Sequence, residues 1–170
     1  MKKILALAAA GMLAVPAHAE ELEVALEIPR LRIAEYHRPY VAMWVETESG
    51  KTAATLNVWY DTDAKGEDGR KWLPDLRTWW RRAGRAMTMP ADGISGPTRA
   101  PGQYRVRHAS GSKPLSALAP GNYRLQVEAA REVGGRELVT IPFQWPPRRA
   151  ATASARGTTE LGTVRLITRP

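Results

Sequence analysis

The 170-residue chain contains no cysteine. That absence excludes disulfides, thiolate metal sites, iron–sulfur clusters, thioether-linked haem and cysteine nucleophiles. Any redox role must use a non-cysteine cofactor. Histidine is nearly as scarce, with three residues in all: His18, His37 and His108. His18 falls in the leader described below. The two that remain are too few for a histidine-rich metal site. The chain also lacks a Gly-x-Ser-x-Gly elbow, a His-Glu-x-x-His helix and a P-loop, so no hydrolase or nucleotide motif is present. Asp92-Gly93 and Gly134-Gly135 are turn signals, because neither opens a helix in a βαβ unit. No solenoid repeat is present. Beyond the N-terminus no stretch approaches the roughly 18 uncharged apolar residues of a membrane span.

The N-terminus reads MKKILALAAAGMLAVPAHA. Lys2 and Lys3 precede a short apolar run from Ile4 to Val15, and Ala17-His18-Ala19 has small residues at the cleavage positions. This is a secretory signal peptide, cut after Ala19. The expected location is the periplasm. Residues 20–170 remain as a single domain, long enough for a real core. The formal net charge is +8, and loss of Lys2 and Lys3 leaves +6. The excess is mostly arginine, at 77, 81, 82, 85, 99, 105, 107, 148 and 149. Nucleic acid is not expected as a partner of an exported protein. The charge suits anionic envelope surfaces, phosphorylated ligands or acidic partners, or simply a solvated basic face.

The body of the chain alternates apolar and polar residues in short runs separated by turn signals. Residues 22–31 read as a strand. PYVAMWVETESG (39–50) and TAATLNVWYD (52–61) read as a hairpin, its first strand apolar on both faces. DTDAKGEDGRK (61–71) is a polar loop. In WLPDLRTWWRRAGRA (72–86), Leu73, Leu76, Trp79 and Trp80 recur at helical spacing. Pro74 suits a first turn and Gly84 an end, so a short amphipathic helix is predicted over 74–83. Residues 87–102 form an aperiodic loop, and 103–109 a strand. Residues 121–145 form a second hairpin turned by Gly134-Gly135. Residues 146–159 read as a basic low-complexity linker before a last strand at 162–168. Seven or eight strands with one helix predict a mostly β protein. The expected form is an antiparallel β-sandwich of immunoglobulin-like build.

Three constellations could carry chemistry. The first is DGISGPTRAPG (92–102), where Thr98 offers a hydroxyl on a glycine-rich segment that a foreign active site could approach. Asp, Gly, Ser and Pro also crowd wherever a chain turns. The second is Trp72, Trp79 and Trp80 with Arg77, Arg81, Arg82 and Arg85, which could stack on an aromatic ligand and hold a phosphate. The same pattern describes a helix with an aromatic core face and a basic solvent face. The third is His37, placed before a central strand. It could join Glu35, or Asp61 and Asp63, around a metal, or it could simply bond backbone.

Asp92-x-x-Ser95-Gly96-x-Thr98 resembles the acceptor motif of bacterial flavin transferases, which join FMN through its phosphate to a threonine. Pro97 stands where that motif usually has alanine. More widely, HRPYVAMWVE (37–46), LNVWYD (56–61), KWLPDLRTWWRR (71–82), DGISGPTRAPGQY (92–104) and EAAREVGGRELVTIPFQW (128–145) together resemble a predicted periplasmic bacterial family. That family is a domain of unknown function, number 2271, and the likeness spans about residues 22–168. Its members tend to be encoded beside PepSY-type membrane proteins and flavin transferases. The family likeness implies an envelope redox or metal-linked setting without an established activity, and the motif likeness implies covalent FMN at Thr98, with Asp92, Ser95 and Gly96 recognised by the transferase. It also implies electron exchange with a PepSY-type membrane partner. In that reading His37, Trp79, Trp80, Arg81 and Arg82 form the ligand or partner surface, and the protein has no catalytic activity of its own. The other expectation is a non-catalytic accessory module of an envelope metal-uptake or redox complex.

Overall fold

A computed structural model describes residues 19–62 and 69–170. Nine strands form two sheets. They are β1 (Glu21–Ile28), β2 (Tyr40–Thr47), β3 (Thr52–Tyr60), β4 (Ser95–Pro97), β5 (Gly102–Ala109), β6 (Gly121–Ala130), β7 (Arg136–Trp145), β8 (Ala151–Arg156) and β9 (Thr163–Arg169). A four-stranded sheet runs β5-β1-β9-β8, and a five-stranded sheet runs β4-β3-β2-β6-β7. All pairings are antiparallel except β3 with β4, which is parallel.

Period-two alternation explains the layering. Leu22, Val24, Leu26 and Ile28 point inward from β1. They join Val164 and Leu166 of β9, and across the interior Val41, Met43, Val45, Leu125 and Val127, in one apolar cluster. The two sheets therefore share a core. β2 is buried on both sides, as its doubly apolar sequence predicts. Its alternate residues Ala42 and Trp44 enter a second cluster with Leu73, Leu76 and Trp79. That cluster lies under a short helix, α1 (Arg77–Arg82), on the outer face of the five-stranded sheet.

Both predicted hairpins are present. Gly50 turns β2 into β3 at φ +83°, and Val133 takes φ +51° between β6 and β7. Three expectations need correction. The single helix over 74–83 is three pieces: a 3-10 turn at Arg70–Asp75, α1, and a 3-10 turn at Gly84–Ala86. Leu76, at φ −73° and ψ 67°, breaks the first join. The N–H groups of Thr78 and Trp79 turn to the Glu128 carboxylate at 2.9–3.1 Å. Gly84 lies flat against Trp79, where a Cβ would stand 2.6 Å from the ring. The linker at 146–159 contains β8, whose small residues hide the strand period from composition. The strand order also differs from the ABED and CFG sheets of an immunoglobulin constant domain, because β1 pairs with the last strand and β2 with β3 in the opposite sheet.

Much of the arginine excess is internal to the fold. Glu23, Glu46, Glu128 and Glu160 are buried. Each has a guanidinium partner: Arg105 and Arg107 for Glu23, Arg82 for Glu46, Arg136 for Glu128 and Arg131 for Glu160. A buried carboxylate without such a partner would be prohibitively costly. Burial by itself pushes Glu23 upward. Arg107, Arg169 and Arg105 more than reverse that, so its pKa lies below the usual carboxylate value.

Candidate functional site

One end of the five-stranded sheet opens into a cavity of about 480 Å³. Its walls come from segments far apart in sequence. The approach to β2 supplies Tyr36, His37 and Arg38. The end of β3 gives Asp61, the first 3-10 turn gives Lys71, Trp72 and Asp75, and the exit from β6 gives Glu132. Pro97 and Thr98 complete the wall. The volume lies in the range of small-ligand sites.

The Asp92–Thr98 segment is held tightly, although its composition predicts a pliant loop. Asp92 and Gly93 form an exposed turn, with Gly93 at φ +70°. The Ser95 hydroxyl accepts the Ala91 N–H at 2.9 Å, and the Ser95 N–H donates to the Ala91 carbonyl at 2.9 Å, locking that turn. Gly96 faces Trp59, where an added Cβ would sit 3.3 Å from the indole. Thr98 donates its N–H to the Tyr60 carbonyl at 3.1 Å. Just beyond, Arg99 lies over the rings of Trp59 and Tyr104 at 5.4 and 5.8 Å. Thr98 is half-buried and lines the cavity, whereas Asp92 is exposed and is not among the lining residues. Ser95 and Gly96 thus have packing roles in this chain.

His37 lines the same cavity. Its Nε2 is 3.0 Å from Glu35 and its Nδ1 3.6 Å from Glu132. Four of the sequence candidates, Thr98, His37, Trp72 and Asp61, therefore share one cavity. The helix set separates. Trp79 is fully buried, packed against Trp80 with its indole N–H 3.3 Å from Thr55, and so is core and not ligand surface. Trp80 is half-buried against the same cluster. Arg82 is tied to Glu46 and to the Gly50 carbonyl, and Arg81 folds back to the Arg77 carbonyl. None of these four lines the cavity, but Trp72 does, 45 % exposed with the Lys71 ammonium 5.4 Å from its ring. Asp63 lies outside the described residues. Among the described residues no group of three His, Asp or Glu is placed to hold a metal ion.

Sequence reasoning missed Glu132 and Asp75, which carry no motif and reach the cavity only through strand order. Tyr36 is the more informative residue. It lines the cavity, and its hydroxyl is buried without a hydrogen-bond partner. Burial holds the Tyr36 phenol above its ordinary pKa. Tyr40, beside it, donates its hydroxyl to the Gly69 carbonyl at 2.8 Å.

Two packed β-sheets with a polar, aromatic-walled cavity at one end define a mostly β protein with a candidate ligand site. Residues 21–163 match the family described as Predicted periplasmic protein (DUF2271), and the chain belongs to that family. No curated protein and no solved structure matches it. Among the described residues no helix is long and apolar enough to cross a membrane.

Proposed function

We propose that this protein is exported to the periplasm, carries FMN joined through its phosphate to Thr98, and exchanges electrons with a PepSY-type membrane protein. The observation that carries this reading is the place of Thr98 on the wall of a 480 Å³ cavity. Tyr36 and Trp72 line the same space and offer ring faces for an isoalloxazine. The unpaired Tyr36 hydroxyl is a donor for a flavin carbonyl or ribityl oxygen. Arg38 and Lys71 bring positive charge for a phosphodiester, while Asp61, Asp75 and Glu132 leave the lining as a whole formally one unit negative with His37 neutral, so the phosphate would have to sit beside the two cations. The cofactor, when attached, supplies the electron transfer. The protein's part is to hold its phosphate, cover its ring and set the charge around it.

Attachment needs an activated donor such as FAD. The Thr98 Oγ attacks the flavin-side phosphorus, the bond to AMP breaks and AMP leaves, and the hydroxyl proton passes to a base of the transferase. Co-expression with a flavin transferase, followed by intact-mass measurement, should show one FMN added. The adduct should vanish in Thr98→Ala and persist or increase in Pro97→Ala. An unmodified mass for both the native chain and Pro97→Ala would overturn the reading.

A second reading has its own observation. Ser95 and Gly96 are already engaged in turn locking and in packing on Trp59, so the motif residues have a purpose without modification. The cavity would then bind a free aromatic anion non-covalently. Titration with free FMN, followed by Trp72 fluorescence, separates the two readings.

A further inference from the structure

The two sheets expose four edge strands: β5 and β8 in one, β4 and β7 in the other. Natural sheets blunt such edges against stray pairing. β4 is three residues long and ends in Pro97. β7 carries Pro142 in mid-strand, which removes a donor. β5 presents Arg105 and Arg107, both engaged with Glu23. β8 has none of these devices. It runs ATASAR, with no proline and no charge before its last residue. Its register with β9 is unbroken over six pairs, without a bulge. Its side chains are small, so an incoming backbone could approach to the usual ladder spacing of about 4.8 Å.

Beside this edge lies a groove of about 430 Å³. Phe143 and Pro142 of β7, Pro147, Ala153 and Leu166 make it largely apolar. Cationic residues flank the strand. Arg148 and Arg149 are exposed, line the groove and precede β8, and neither has an ion-pair partner among the described residues. Arg156, exposed, closes the strand, with its guanidinium 3.4 Å from the Thr163 hydroxyl.

We infer that β8 is a docking edge for an extended, acidic segment of another protein. That segment would add a fifth strand to the four-stranded sheet and place alternate apolar side chains in the groove. Main-chain pairing gives affinity in this mode, and pockets for alternate residues give selectivity. Charge decides the occupant. If two copies of β8 paired antiparallel about the strand centre, Arg156 of each would sit diagonal to Arg149 of the other. That puts like charges together at both ends of the ladder, between chains that are already basic. An acidic strand reverses the sign at every one of those positions.

The test uses the full exported chain and a fluorescein-labelled eight-residue peptide of alternating valine and glutamate, read by fluorescence anisotropy at low salt. Two control peptides replace glutamate with lysine, or methylate the backbone nitrogens on one edge. The acidic peptide should bind, perturb the backbone amides of 151–156, and weaken roughly tenfold or more against Arg148→Glu with Arg149→Glu. Both control peptides should fail. These arms leave the protein intact, so misfolding of a variant cannot mimic the result. Absent binding, equal binding of the lysine peptide, or equal binding of the methylated peptide would each overturn the proposal. So would a dimer in sedimentation that dissociates on the arginine reversals.

Discussion

The two sheets bury carboxylates on their outer faces, but in different ways. On the four-stranded sheet Glu23 is met by Arg105 and Arg107, each 61 % exposed, and by Arg169, 43 % exposed. On the five-stranded sheet Glu128 is covered by α1, and its carboxylate holds the helix by the N–H groups of Thr78 and Trp79. Glu46 on the same sheet takes the Trp44 indole N–H at 2.7 Å and the Gln126 amide at 3.0 Å as well as Arg82. The first face uses a buried carboxylate as a cross-strand clamp on guanidinium groups that stay partly in water. The second uses it as the fixing point for a layer. The partners that remain after a carboxylate is removed decide the cost. Exposed guanidinium groups can return to solvent, whereas covered N–H groups cannot.

Single substitutions can break the contrast. Trp79→Ala removes the centre of the covered layer and should cost about 3–5 kcal/mol in urea unfolding. Glu128→Ala should cost about 2–4 kcal/mol, because it strands the N–H groups of α1, whereas Glu23→Ala should cost only about 1 kcal/mol. Equal losses for the two glutamates would erase the distinction between the faces.

Acid should act through carboxylates held by backbone. Burial pushes Glu137 upward, but the N–H groups of Thr158, Leu161 and Thr159 and the Thr158 hydroxyl outweigh that and bring it down to about 2. Glu27, on the open face, is lowered chiefly by the Thr163 N–H. Both groups have folded pKa values below their unfolded ones, so their stabilisation is complete above pH ~4.5 and is lost as pH falls through the folded values. Glu137→Gln should remove on the order of 2–3 kcal/mol of that acid dependence, and Glu27→Gln less. Stability measured between pH 2 and 6 checks both. The smallest effect belongs to Trp72→Ala, a half-exposed ring at the cavity mouth. It should change stability by less than about 0.5 kcal/mol, yet brighten the emission of any flavin attached at Thr98 by removing a quencher.

The sequence made some of this legible and hid the rest for physical reasons. β2 could be read as doubly covered because Val41, Met43 and Val45 alternate with Ala42 and Trp44, and a strand that is apolar in both phases must be shielded from water on both sides. The two hairpins followed from turn chemistry at Gly50 and at Gly134-Gly135. β8 escaped because a strand of alanine, serine and threonine has almost no hydrophobic contrast. β4 escaped because a three-residue parallel bridge has no period. Trp79 and Trp80 looked alike in sequence, and only the seating of α1 on the sheet shows which indole is buried. At the cavity, Thr98 and His37 were found by residue type, but their meeting was not. It depends on the ends of β2, β3, β4 and β6 lying side by side, and strand order is written in no single segment. The role of Arg82, Arg105 and Arg107 was hidden for the same reason, since their carboxylates lie 36 to 84 positions away.

The pairing of β1 with β9 has a consequence for how the molecule is made. Arg169 reaches Glu21 across 148 positions of sequence, so one flank of β1 is completed only by a strand far along the chain. Until β9 is in place, Leu22, Val24 and Leu26 lie on a strand with one flank unpaired. Closure of such distant ends is slow. For this fold the meeting of β1 with β9, more than any local segment, sets when the four-stranded sheet can be completed.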